Sequence, residues 1–479
     1  MNQKDSNNNG IQNAFKAGIW YTISTLVVRS ISIISTPAYT RMMSKADYGI
    51  SGTFNTWYSL LAIICSLNVG YSIGRAKVDF GDQFDKYIGS LQILCIVITT
   101  FIFIPIFAFI RPIESFAGID KKSILLLFFY LLFGTVVSIY QGKYRFRYEY
   151  KQNIIVSIFI SISTVLFSLL FIWILPEKYL GKIIGTVIPP VILGIVFWII
   201  SIKRNYISFN KEYIRYAIVF SAPLIIHSIS IYILGQSDRL MVKHYCGDSE
   251  AGVYTLIYQY AILVSLFTNS VNQAWNPWFH DNYALKNFSI IKKKVVPLLI
   301  LGAFVGCGCV AIAPEAVRVL GGTDYLEGLS TVLPIVLGVI AEFFYTQYVI
   351  IEMHLKKTKW VSIGTVIAAL INLLLNWIFI PKFGYIAAAY TTLFSYLLLL
   401  GIHYLITRIV LRVKLYNDLI TIIIFLMASL LCFGFSALYD LVFIRYILLS
   451  ALIILFGIYN KDFIIKKIKK GKTTNDKVQ

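Results

Sequence analysis

Three consecutive stretches decide the fold: the run SILLLFFYLLFGTVVSIY at 123–140, the linker QGKYRFRYEYKQN at 141–153, and the run IIVSIFISISTVLFSLLFIWIL at 154–175. Neither run holds a charged residue, while the linker carries Lys143, Arg145, Arg147 and Lys151. Each run is close to the roughly 20 residues with which an α-helix crosses a hydrocarbon core about 30 Å thick. Backbone polar groups inside a bilayer must pair within their own segment, so runs of this kind fold as membrane-spanning helices.

Working outward, twelve more runs repeat the pattern, near 15–40, 49–74, 87–110, 183–202, 213–234, 252–270, 295–313, 331–351, 361–380, 385–406, 419–438 and 443–459. With 58% apolar and 14% charged residues, the chain lies where the bilayer is the main solvent. The linkers alternate between Lys/Arg-rich and Lys/Arg-poor, and by the positive-inside rule the cationic ones, such as 143–151 and 203–215, face the cytoplasm. The sequence therefore predicts an all-α polytopic membrane protein of about 14 transmembrane helices with both termini cytoplasmic. The formal net charge of +20 is topological and calls for no nucleic acid; its partners include anionic membrane lipids. The polar, Asn-rich stretch 1–13 precedes an apolar run too long for a signal peptide and reads as a cytoplasmic tail.

Composition also excludes several chemistries. Cys65, Cys95, Cys246, Cys307, Cys309 and Cys432 lie mostly in apolar runs and read as small hydrophobes, with no disulfide expected. The five histidines show no metal-ligand spacing, and there is no phosphate-binding loop or nucleophile motif, so no metal and no catalytic residue is expected. Short outer loops offer little room for a membrane enzyme acting on lipid-linked sugars.

An internal echo gives the domain plan. Thr40-Arg41-Met42-Met43-Ser44-Lys45 with Tyr48-Gly49 resembles Asp238-Arg239-Leu240-Met241-Val242-Lys243 with Ala251-Gly252. One copy follows the first span and the other the seventh, so both have the same orientation. That predicts two six-helix lobes in parallel repeat, 14–205 and 206–410, with a substrate site near the midplane between them. A helix pair at 411–460 is appended, and a basic cytoplasmic tail at 461–479 closes the chain.

Two charges fall near the middle of a span, Arg29 and Glu342. An ionised group there costs about 2.5–3.5 kcal/mol on insertion scales, so it faces a polar cavity or a partner. A lumen arginine suits a diphosphate, because its planar guanidinium donates paired hydrogen bonds to phosphate oxygens and stays charged. Arg29 is the first candidate, with Arg41 and Arg239 either extending a cationic lining or anchoring helix ends. Glu342 is a candidate for carrying a coupling ion, proton or sodium, or else neutralises an arginine. His227 and His403 read as core residues.

The string Asn372-Leu373-Leu374-Leu375-Asn376, Pro381-Lys382-Phe383-Gly384-Tyr385 places two amides on one helix face and a tight turn after them. Together with Pro37-Ala38-Tyr39-Thr40-Arg41, Asp238-Arg239, Gly252-Val253-Tyr254 and Gln273-Ala274-Trp275-Asn276-Pro277, it resembles the polysaccharide biosynthesis flippase family of the multidrug/oligosaccharidyl-lipid/polysaccharide superfamily. Pro37, Asp238, Asn372, Asn376, Pro381 and Gly384 carry the resemblance. It implies a MATE-like pair of lobes in a V. It also implies a transporter rather than an enzyme: a flippase that moves an undecaprenyl-diphosphate-linked oligosaccharide repeat unit across the bacterial cytoplasmic (inner) membrane by alternating access. O-antigen, capsule or exopolysaccharide would be the product, made with polymerase and chain-length machinery and without a cofactor. The alternatives are a drug/cation antiporter of the same superfamily, which would line its cavity with acids, and a membrane enzyme polymerising lipid-linked sugars.

Overall fold

The computed structural model describes residues 3–459, with side chains from residue 24 onward and Trp20, Pro223 excepted. The basic tail at 461–479 lies outside the described residues. Sixteen α-helices make up the described chain: α1 (Gln3–Met42), α2 (Lys45–Cys65), α3 (Ile73–Phe80), α4 (Phe84–Ala108), α5 (Ile110–Ala117), α6 (Lys121–Phe146), α7 (Tyr150–Ile174), α8 (Lys178–Lys203), α9 (Lys211–Cys246), α10 (Asp248–Ala284), α11 (Phe288–Ala311), α12 (Ala313–Gly321), α13 (Leu329–His354), α14 (Thr358–Leu405), α15 (Asp418–Ala437) and α16 (Val442–Tyr459). Among the described residues there is no strand.

In the first lobe α6 packs on α8 and α4, and α7 on α8 and α1. In the second, α14 packs on α13 and α9, and α10 on α13 and α11. The lobes meet where α2 lies along α10 and α9. α15 and α16 lean on α11 from outside, and their outward faces are apolar and exposed, as at Leu426, Leu430, Phe433, Ile454 and Leu455. Such a surface is stable only against hydrocarbon.

Each of the fourteen apolar runs falls on a helix. Among the described residues ten helical segments are long and apolar enough to cross a membrane, eleven when α9, bent by 48° between Ala222 and Leu224, is taken as one. α2 falls outside that set because polar groups, among them Thr53, Asn55 and Thr56, interrupt its apolar run. α14 and the turn after it count once, although Gly384 breaks the helix at φ 68°, ψ −160°. A left-handed φ suits glycine, which has no Cβ to clash there, and Pro381 just before it cannot donate to the helical ladder. The chain reverses at this point, so Asn372 lies beside Thr392 and Asn376 beside Thr391.

α2 and α10 carry a glycine at the same place in their second turn. Ser44 caps α2 with its Oγ accepting from the Asp47 N–H at 3.1 Å while the Asp47 carboxylate accepts the Ser44 N–H at 3.2 Å. Gly49 is the fifth residue of α2 and Gly252 the fifth of α10, and these two repeat-related glycines touch across the lobes. A Cβ on Gly49 would sit 2.8 Å from Gly252 N, and one on Gly252 would sit 3.2 Å from Gly49 N. Backbone thus meets backbone at the Lys/Arg-poor end. Around this contact Lys45 pairs with Glu327 at 2.8 Å, Tyr48 meets Tyr325 edge to face at 6.3 Å, and Thr40 Oγ1 donates to Leu320 O at 2.6 Å.

Candidate functional site

Behind this seal, between the lobes, lies a cavity of about 570 Å³. α1 supplies its longest wall, with Ser24, Val28, Arg29, Ser32, Ser35, Thr36 and Tyr39 recurring at helical spacing on one face. α2 adds Tyr48, Gly52 and Asn55, and α7 adds Ser157, Ser161 and Thr164. α8 contributes Lys182 and Thr186, while α9 and α10 bring Arg239, Thr255 and Gln259 from the other lobe. Gln259 Nε2 donates to Ser32 Oγ at 3.1 Å, a bond from one lobe to the other across the cavity wall.

Among the described residues three cations line this space, Arg29, Lys182 and Arg239, and none of the lining residues is acidic. Arg29 is exposed to the cavity and has no ion pair among the described residues. Lys182 stands with its ammonium 3.8 Å from the centre of the Tyr48 ring and 5.0 Å from that of Tyr39. The π faces attract the cation but cannot neutralise it. Arg239 lies 4.7 Å from the Tyr258 ring centre.

The expected cationic residues thus divide. Arg29 and Arg239 come together in one cavity; Arg41 does not reach it and stays exposed near the end of α1. The helices explain the difference: α1 ends one residue beyond Arg41, whereas α9 runs seven residues past Arg239, which places Arg239 about 10 Å below the helix end. Pro37 sits within α1, where it removes one helical hydrogen bond beside the cavity face.

Asp238 points away from the cavity. It is fully buried, with Oδ2 accepting from Tyr254 at 2.7 Å and Tyr258 at 2.6 Å, and Oδ1 accepting the Arg239 N–H at 2.9 Å. Thr392 Oγ1 donates to the same carboxylate at 3.4 Å, and Thr392 in turn accepts from Asn372 Nδ2 at 3.3 Å. Asn376 Nδ2 donates to Asn372 Oδ1 at 3.1 Å, and Asn376 Oδ1 accepts from Thr391 Oγ1. The motif residues Asp238, Asn372 and Asn376 therefore form one buried polar chain that ties α9 and α10 to both limbs of α14. Pro381 and Gly384 make the reversal that brings the limbs together.

Glu342 lies on α13 with Ser265 of α10 in hydrogen-bonding reach, away from the lining of the cationic cavity. It pairs with no arginine among the described residues.

Lys182 is the site residue that sequence reasoning passed over. Counted as a linker cation ahead of a span starting at 183, it belongs to the second turn of α8, which begins at Lys178. The spacing of Lys182 to Thr186, two polar residues one turn apart at the head of an apolar run, carried the signal.

Compared with known proteins, the chain matches the family model described as polysaccharide biosynthesis protein over residues 14–283, more than half its length, and the MatE model over 223–381. The probable low-salt glycan biosynthesis flippase Agl15 of Haloferax volcanii is 23% identical over 438 residues, covering 88% of this chain and 90% of that protein. A solved structure of the lipid II flippase MurJ in an inward closed conformation superposes with a TM-score of 0.71 at 17% identity, covering 93% of this chain and 100% of that one. An inward-facing multidrug resistance MATE family transporter of the MOP superfamily does so at 0.60 and 11% identity, covering 87% and 99%.

Proposed function

Since this chain belongs to the polysaccharide biosynthesis protein family, we propose that it is a flippase for a lipid-linked oligosaccharide, a transporter and not an enzyme. Its cargo is an undecaprenyl-diphosphate-linked repeat unit, carried across the bacterial cytoplasmic membrane by alternating access with both termini cytoplasmic. The single observation that carries this reading is a cavity between two lobes lined by Arg29, Lys182 and Arg239, with no acid among its described lining and with hydroxyls and amides recurring along its walls.

A diphosphate brings what the cavity lacks. Arg29 and Arg239 approach from opposite lobes and offer paired N–H donors, and Lys182 offers a point charge at the sealed end. About 570 Å³ lies within the roughly 300–1,000 Å³ of ordinary ligand sites, enough for the diphosphate and its first sugars. Seryl, threonyl and glutaminyl groups on α1, α7 and α10 can bond sugar hydroxyls without selecting one sugar. The polyprenyl chain stays in hydrocarbon. Glu342, half-buried in the other lobe, is the coupling residue in this reading, with a proton or sodium as its ion. A drug/cation antiporter would need carboxylates where this cavity has arginine and lysine.

The experiment is a leaflet assay in cells. Arg29→Ala and Lys182→Gln are expected to insert normally, to abolish surface polymer, and to leave lipid-linked repeat units on the cytoplasmic leaflet. Normal surface polysaccharide in the double variant would overturn the reading, and accumulation on the outer leaflet would assign the chain to polymerisation instead.

A further inference from the structure

The second lobe buries an acid and a base that neither the cavity nor the family motifs use. Glu352 and His403 are both 0% exposed, with His403 Nδ1 2.9 Å from Glu352 Oε1. Glu352 occupies the last turn of α13 and His403 the last turn of α14, so the pair lies just inside the Lys/Arg-rich end of the lobe. Glu352 Oε2 and His403 Nε2 are buried with no hydrogen-bond partner among the described residues. An unpaired polar atom in a dry interior is costly, and here each partner keeps one hydrogen-bonding atom unused.

The surroundings form a line. Tyr345 stacks on His403 with ring centres 5.6 Å apart, and Tyr396 stacks on Tyr345 at 6.4 Å. Glu342 is one turn from Tyr345 on α13 and Glu352 two turns the other way, so 342, 345 and 352 share the face turned to α14. Gly364, on the opposite limb of α14, leaves the imidazole its room: a Cβ there would stand 3.2 Å from His403 Nε2. Other titratable groups at this end are Tyr348 on α13, Tyr404 on α14, and His354 at the end of α13, whose Nδ1 lies 2.8 Å from Nδ1 of His280 on α10; Arg408 beyond them is held by Asp418. Lys356 and Lys357 lie in the turn after α13. α9, packed on α14, carries His227 as its one titratable side chain between Tyr216 and Tyr232.

We propose that the Glu352–His403 pair is a proton-binding site of the transporter, loaded and emptied from the Lys/Arg-rich end and joined by Tyr345 to Glu342. The inference deepens the coupling part of the flippase reading, on which it rests. One shared proton sits either on Glu352 as a carboxylic acid donating to neutral His403 Nδ1, or on His403 Nδ1 donating to the carboxylate. Uptake of a second proton gives acid beside imidazolium, and loss of the first leaves a carboxylate facing a neutral ring. Each of these two changes leaves an uncompensated charge in a dry site, so each favours movement of α13 against α14 that admits water. Protonation and helix position are thereby linked.

The test reads the proton and needs no substrate. Full-length protein in lipid nanodiscs is titrated from mildly alkaline to mildly acidic buffer while its infrared difference spectrum is recorded. Wild type is expected to gain a protonated-carboxyl band that is absent in Glu352→Gln, displaced along the pH axis in His403→Gln, and unchanged in Arg29→Ala. Gly364→Ser, which crowds the imidazole without removing a titrating group, is expected to move the band as well. A carboxyl band identical in wild type and Glu352→Gln, or no band in wild type that Glu352→Gln removes, would overturn the proposal while leaving the cationic cavity standing. Normal export by the Arg29 and Lys182 variants would fell the flippase reading and leave the proton site intact.

Discussion

Replacing Gly49 by alanine tests the seal at the Lys/Arg-poor end. Its Cβ would lie 2.8 Å from Gly252 N and 3.1 Å from the Asp248 carbonyl carbon, nearer still to that carbonyl oxygen. Ordinary contacts between non-bonded atoms are about 3.5–4.0 Å, so α2 and α10 must separate by roughly 1 Å. Both neighbours are backbone, and no side chain can swing aside. Overpacking of this kind costs roughly 1–3 kcal/mol, and only the sealed state bears the cost. The ratio of sealed to open protein should therefore fall about 5- to 150-fold, at about 1.4 kcal/mol per factor of ten. Gly252→Ala invades the same gap from the other lobe, with Gly49 N at 3.2 Å, so the double variant should lose less than the sum of the two.

The assay is thiol accessibility. Asn55→Cys places a thiol on the cavity wall of α2, in a background where the half-buried Cys246 is serine. A membrane-impermeant maleimide added from the outer face should label it slowly in the parent and faster, by the factor above, in Gly49→Ala. Gly70→Ala is the control, because a Cβ at Gly70 meets nothing within 4 Å. An unchanged labelling rate in a Gly49→Ala protein that is folded and inserted would refute the assignment of the α2–α10 contact as the seal.

Two further substitutions probe what holds each lobe. Asp85 pairs with Lys143 at 2.9 Å and Arg147 at 3.0 Å at the Lys/Arg-rich end of the first lobe, and the Lys143 side chain is only 6% exposed. Asp85→Asn should cost about 3 kcal/mol by stranding that ammonium, read as a lower melting temperature in detergent. Burial alone would raise the carboxyl of Asp85, but the Lys143 hydrogen bond and charge hold it below its ordinary value. Its contribution is thus present above the unfolded value of about 3.9 and lost as pH falls through the lower folded value, so wild type should lose its advantage over Asp85→Asn only in strong acid. Asp238→Ala should cost about 2–3 kcal/mol, since interhelical hydrogen bonds in membranes average about 0.6 kcal/mol and the Tyr254 and Tyr258 hydroxyls lose their acceptor. A melting temperature unchanged by Asp238→Ala would remove the buried chain from the forces that hold α9 to α14.

The lobes were legible in the sequence because hydropathy and a repeat are both local signals. Gly49 and Gly252 fell in the echoed stretches at equal distance from their helix starts, and they proved to be the point where the lobes touch. The depth of Arg239 relative to Arg41 was not legible, because it depends on how far α9 continues past the echo. Arg41 precedes Gly49 by eight residues and Arg239 precedes Gly252 by thirteen. Helix continuation through a charged stretch is decided by packing against the neighbouring lobe, which composition does not record. The hydropathy of α2 is lower than that of the other spans for a related reason: this helix carries polar groups, such as Asn55, that wall the cavity.

What sequence could not supply was the sorting of charge. The three cations of the cavity come from helices of both lobes, whereas Asp238, Glu342 and Glu352 all lie inside the second lobe with partners of their own: Tyr254 and Tyr258, Ser265, and His403. Had any of these carboxylates faced Arg29 or Lys182 at contact distance, the attraction would have cancelled the field that an anionic headgroup meets, and a bound phosphate would have had to displace an internal partner first. Arg29 and Lys182 therefore face the cavity without an ion pair among the described residues. A ligand shifts a two-state equilibrium by no more than its differential affinity for the two states. Because Arg29 and Lys182 belong to one lobe and Arg239 to the other, a single phosphate group can contact all three only at particular lobe separations. That geometric dependence is what would let a headgroup drive the lobes, and a cavity with its cations on one lobe alone would bind the same anion without moving.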